Sequence, residues 1–197
     1  MNEQFQHVMV LISIVIGLAI THLLSGVVDA MDRAEDDDHP EILSLLGVLW
    51  ASTAFMWMIN FWWFQYRLLA YEGPWTIWRY LFMVLYSVVL YMLAVMLVPR
   101  DWDSVKRYNE YFMRNRRWFF TALLLASVAD LIDSWIKGGW RYVVDMGPFN
   151  NTVVLVTIPV VAIGIVSRKI RTQEVIAALY FVLYVIAIFE YTPVLGS

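Results

Sequence analysis

Long apolar runs separated by short polar or Pro- and Gly-containing breaks divide the chain into six segments, about 8–28, 42–64, 77–98, 118–136, 150–167 and 175–192. Each is close to the roughly 20 residues that carry a helix across a bilayer. A helical bundle in water would show polar positions recurring every 3.6 residues, and Val8–Ile20 and Leu81–Val98 show almost none. Nor do the runs alternate apolar and polar residues as transmembrane strands do. The pattern predicts an all-α, polytopic membrane protein, one domain over residues 1–197 with six transmembrane helices. Met1–His7 carries Glu3 and no Lys or Arg, unlike the basic start of a signal peptide, so the first helix is expected to be retained.

The longest break, Arg100 to Arg117, has an order of its own. Trp102, Val105, Tyr108 and Phe112 recur at helical spacing beside Lys106, Arg107 and Arg114. This predicts an interfacial amphipathic helix over 100–117, between spans three and four, lying on anionic lipid headgroups. A docking surface for a soluble partner is the other reading of the same bases. Nucleic acid is disfavoured, because Asp101, Asp103 and Glu110 offset the six bases there. The helix would divide the chain three plus three, and halves with an odd number of spans have opposite orientations, the precondition of an inverted repeat. Val84-Leu85-Tyr86 and Val182-Leu183-Tyr184 are a faint match between the halves.

Composition agrees with the pattern. With 61% hydrophobic and 16% charged residues in 197, the chain has more apolar surface than a soluble domain of its size could bury. Zero cysteines exclude disulfides, thiolate metal sites and cysteine nucleophiles. The net charge of −3 hides a local asymmetry, since Asp29–Glu41 is acidic and Arg100–Arg117 basic. Counted by membrane side, Arg67, Arg79, Lys137 and Arg141 share the side of the termini, and the ten other bases lie opposite. The bias of bases toward the cytoplasm predicts a multi-pass protein of the plasma (inner) membrane with both termini outside.

Ionisable groups inside the bilayer are costly and are the default functional candidates. The fourth span carries Ser127, Asp130, Asp133, Ser134 and Lys137, with both carboxylates on one helix face. Lys137 can pair with Asp133 at i+4 and snorkel to the interface, whereas Asp130 has no such neighbour in sequence. Asp130 is therefore the leading candidate for a proton or cation site, with a helix–helix hydrogen bond as the alternative. In the first span Ser13, Gly17, Thr21, Ser25 and Asp29 recur every fourth position as one ridge, fit either for close helix packing or for a polar path beside His22. His22 could relay protons or ligate a cofactor, or be a hydrogen-bonded packing residue. Each lies toward a different membrane face, so His22 and Asp130 are expected about 10 Å apart along the normal, at 1.5 Å per residue.

Pro159 in span five is a hinge candidate, or a tolerated kink. Tyr180, Tyr184 and Tyr191 share a face of span six, with Glu190 near its end, and could line a polar path. Most of the ten Trp fit interfacial belts. The acidic stretch Asp29, Asp32, Glu35–Asp38, His39 and Glu41 lacks the spacing of a calcium loop and reads as solvated charge. No metal site, cofactor site or catalytic motif is recognised, since phosphate-binding glycine loops, paired His ligands and nucleophile elbows are missing. Three functions stay open. They are a proton- or cation-linked transport or channel module using Asp130 and Asp133; a non-catalytic subunit or scaffold that binds a partner through its acidic loop and basic helix; and an electron-transfer subunit using His22. A homo-oligomer or a subunit of a membrane complex is expected, with the lipid bilayer as its surroundings.

Overall fold

The computed structural model describes residues 3–35, 42–65, 68, 75–145 and 148–190. Its regular elements are six helices: α1 (Glu3–Ala34), α2 (Leu45–Phe64), α3 (Ile77–Leu97), α4 (Tyr108–Asp145), α5 (Pro148–Val166) and α6 (Ile170–Glu190). Five of them are long and apolar enough to cross a membrane, the exception being α5, whose described apolar stretch is Leu155–Val166. The protein is an all-helical, multi-pass membrane protein. Val10, Ile14 and Leu18 on α1 point outward, as residues facing lipid would. Trp118 and Trp135 are both exposed on α4, and the 17 helical steps from one to the other span about 25 Å, close to the hydrocarbon thickness.

α1 and α3 lie side by side and run in the same direction. Phe5 meets Trp75, His22 meets Tyr91 and Gly26 receives Val98, offsets of 70, 69 and 72 residues (75 − 5, 91 − 22 and 98 − 26). A Cβ at Gly26 would stand 2.4 Å from a Val98 methyl, so the approach depends on glycine. α4 runs back along α3, where Tyr108 Oη donates to Leu97 O at one end and Tyr86 reaches Asp130 further along. α5 and α6 are antiparallel, with Gly164 beside Gln173 and Thr157 beside Tyr180. α6 descends parallel to α2, Trp50 against Tyr180 and Trp57 against Tyr184. Helices α1, α3 and α5 thus run one way and α2, α4 and α6 the other, and α1 begins at the end of the bundle where α6 finishes.

The core is centred on Trp50, whose ring lies 4.9 Å from Phe119, 5.7 Å from Phe120 and 5.6 Å from Tyr180. Contacts of this tilted and edge-on kind add to the burial of large rings. Gln173, fully buried, donates its amide to Gly164 O and Ser167 O, which satisfies carbonyls left open at the end of α5.

Several expectations are corrected. Residues 100–107 form no helix, and 108–117 are the first turns of α4, so no separate interfacial helix over 100–117 is present. The helical spacing of Trp102, Val105, Tyr108 and Phe112 was a sound sign of one buried set, but that set faces protein: all four are buried. The Tyr108 ring closes on Gly47 of α2, and Tyr111 Oη contacts the carbonyls of Met96 and Val98. The packing is also not that of a 3+3 inverted repeat. α1 lies along α3, whereas the equivalent pair, α4 and α6, is separated, with α4 spread over α3 and α5. The ridge Gly17, Thr21, Ser25 and Asp29 is exposed and packs no neighbouring helix among the described residues; Ser13 accepts a hydrogen bond from Trp62 Nε1 at 3.0 Å. α5 is helical on both sides of Pro159, which faces outward. A backbone break is found in α4, at Gly139, where φ is +69° and ψ −167°, a conformation essentially confined to glycine.

Candidate functional site

One stripe of α4 builds the site. Phe120, Leu123, Ser127, Asp130, Ser134 and Lys137 follow at steps of three and four, the spacing that keeps a single face toward the bundle. Its first half is apolar and its second half polar, so the same packing that buries Phe120 carries Asp130 and Lys137 inward. Ser127 and Ser134 are buried with them.

Asp130 has the partner that the sequence did not reveal. Tyr86 of α3 donates its hydroxyl proton to Asp130 Oδ1 at 2.9 Å, and Trp57 Nε1 of α2 donates to the same Tyr86 oxygen at 3.1 Å. Indole is a donor only, so the tyrosine must accept from Trp57 and spend its own proton on the carboxylate. The direction of the chain is therefore fixed, from α2 through α3 to α4. Tyr86 and Trp57 are buried, and Asp130 itself is half-buried. Asp130 Oδ2 has no hydrogen-bond partner among the described residues.

One turn further on, Asp133 is paired with Lys137. Their side chains are 5% and 3% exposed, so Lys137 stays inside the bundle rather than snorkelling to the interface as expected. The pairing at i+4 was legible in sequence; its depth was not. Gln65, at the end of α2 and fully buried, borders Asp133. Yet Gln65 Oε1, Gln65 Nε2 and Asp133 Oδ1 all lack a hydrogen-bond partner. Buried polar atoms in native proteins are nearly always satisfied, and here an amide donor and a carboxylate acceptor stand close together, so a small turn of the Gln65 amide would pair them.

On the α6 side, Tyr184 faces Asn60 and Tyr180 bonds to Thr157 at 3.1 Å, with Ser127 nearby. Tyr180 and Tyr184 thus line the interior beside Asp130, continuing its polar neighbourhood along α6. Tyr191 and the acidic positions Asp36–Asp38, His39 and Glu41 lie outside the described residues, as does the side chain of Glu190.

The other candidates are not drawn into the cluster. His22 is half-buried at the α1–α3 contact, 6.4 Å from the Tyr91 ring, with a buried Nε2 that makes no hydrogen bond. It meets α3 five residues from Tyr86, about 7.5 Å along the axis. Asp29 is exposed near the end of α1, beside Asp32. Among the described residues no three His, Asp or Glu side chains converge as metal ligands.

In charge, the cluster holds two carboxylates and one ammonium. Lys137 pairs with Asp133 and also acts on Asp130, so one ammonium serves two carboxylates and the cluster is left with a net negative charge. No protein family, curated protein or solved structure matches the chain.

Proposed function

We propose that the chain is a proton- or cation-linked transport module with six membrane spans, in which Asp130 takes up and releases the transported ion beside Asp133. The observation that carries the reading is the unbalanced carboxylate. A negative charge inside the bundle in excess of the single Lys137 ammonium is disfavoured, and it is relieved by binding a proton or a cation. The Trp57–Tyr86 chain holds Oδ1 in place and leaves Oδ2 for exchange, with the polar side chains of Asp133, Lys137 and Gln65 one turn away. α5 is the sixth span in this reading.

The test is flux through proteoliposomes under an imposed proton, sodium or potassium gradient. Asp130→Asn should lower the flux at least tenfold while preserving the fold, because an amide keeps the hydrogen bond from Tyr86 and loses the charge. Equal flux in both proteins would leave Asp130 as a helix–helix hydrogen-bonding group and remove the proposal.

The sidedness that goes with it puts the base-rich end, Arg100 to Arg117 and Arg168 to Arg171, in the cytoplasm of the plasma membrane, and both termini outside. Reporters fused at either terminus should be active only outside; cytoplasmic activity at both would reverse the assignment.

A further inference from the structure

At the base-rich end of α3 a cavity of about 620 Å³ opens between α3, the 98–105 segment and the first turns of α4. Its walls change character along the membrane normal. Met92, Val95 and Met96 line the part toward the bilayer, Trp118 marks the interface by its exposure, and Arg100 and Arg114 line the outer part. Arg114 lies one turn of α4 beyond Trp118, about 6 Å nearer the water. Both arginines line the same groove as Tyr111, whose hydroxyl is pinned at 3.1 Å from Met96 O and 3.2 Å from Val98 O. Neither guanidinium is in an ion pair among the described residues, where the arginines so paired are Arg33 with Asp103 and Arg107 with Glu110.

We infer that this groove seats one anionic phospholipid, its phosphate between Arg100 and Arg114 and an acyl chain along Met92, Val95 and Met96. Guanidinium groups present planar paired donors suited to phosphate oxygens. The lining also includes Asp101, so two positive charges and one negative leave a net +1. That balance matches a headgroup with one net negative charge, such as phosphatidylglycerol, and does not favour zwitterionic phosphatidylcholine. The volume falls within the range of ligand pockets and is far too large for a single ion. Arg100 and Arg114 both belong to the 100–117 segment for which the sequence predicts contact with anionic lipid, whereas its apolar stripe of Trp102 and Phe112 is buried against protein. The inference does not depend on Asp130 or on transport.

Native mass spectrometry of the detergent-solubilised chain, titrated with phosphatidylglycerol or phosphatidylcholine of identical acyl chains, tests it. One phosphatidylglycerol should bind at least tenfold more tightly than phosphatidylcholine. The Arg100→Gln/Arg114→Gln variant should lose that preference, and Lys106→Gln, an exposed base outside the groove, should retain it. Millimolar inorganic phosphate should not displace the lipid. The proposal fails if the double variant keeps its preference, if Lys106→Gln loses it equally, or if free phosphate competes, which would make the site one for a soluble anion. Both arginines are exposed, and unchanged thermal unfolding of the double variant separates loss of binding from loss of fold.

Discussion

Lys137→Met is expected to lower the stability of the detergent-solubilised protein by about 3–5 kcal/mol, the range found when one partner of a buried ion pair is removed. The side chains of Lys137 and Asp133 are almost wholly enclosed, so water cannot replace the lost ammonium. Asp133 would then stand unpaired one turn from Asp130, and the cluster would hold two carboxylates with no cation. The pair itself contributes far less than its breakage costs, because both ions were desolvated to form it. Asp133→Asn combined with Lys137→Met should therefore recover most of the loss, with the new amide able to bond the unsatisfied Gln65. Unfolding by denaturant, followed for both variants, checks this. A double variant as unstable as Lys137→Met would show that charge imbalance is not the cause.

The second large effect is steric. An added Cβ at Gly164 would lie 2.3 Å from Phe120 Cε2 and Cζ and 2.6 Å from Cε1. Phe120 cannot yield, being fully buried among Trp50, Phe112 and Phe119. Nor can α5 back away freely, since Gln173 holds the Gly164 carbonyl. Gly164→Ala should cost about 1–3 kcal/mol by overpacking, and Gly164→Leu should prevent α5 from docking. Phe120→Leu alone leaves a void, but in the Gly164→Ala background it removes the obstructing ring edge, so the two substitutions should be less damaging together than their sum. Additive losses in a double-mutant cycle would mean that the two residues do not meet.

What could be read from the chain depended on how local the signal was. Five apolar helices and the Asp133–Lys137 pair follow from neighbours within one helix, where hydropathy and the i+4 spacing act directly. The ends of helices were poorly marked: α1 and α4 extend beyond their apolar stretches, because an amphipathic turn that packs on other protein looks in sequence like one that lies on lipid. Tyr86 carried no sign of its role, since a tyrosine in an apolar run serves equally well as core, belt or hydrogen-bond donor. Only the crossing of α2, α3 and α4 brings Trp57, Tyr86 and Asp130 together. Gln65 is equally unmarked, because it follows the aromatic run Phe61-Trp62-Trp63-Phe64, which suits a membrane interface, yet it is fully buried.

The parallel pairing of α1 with α3 bears on how the chain is made. The stripe Val8, Ile12, Ile16, Ala19 and Leu23 is buried in the finished protein. The helix it packs along ends 63 residues after α1 does, at Leu97 against Ala34. At ribosomal speeds of roughly 5–20 residues per second, the wait is several seconds. Through that interval α1 has only lipid, α2 or the insertion machinery to cover it, and α2 must leave room for a later arrival. Final burial of this α1 stripe therefore waits on the synthesis of α3, so the bundle cannot close helix by helix in chain order.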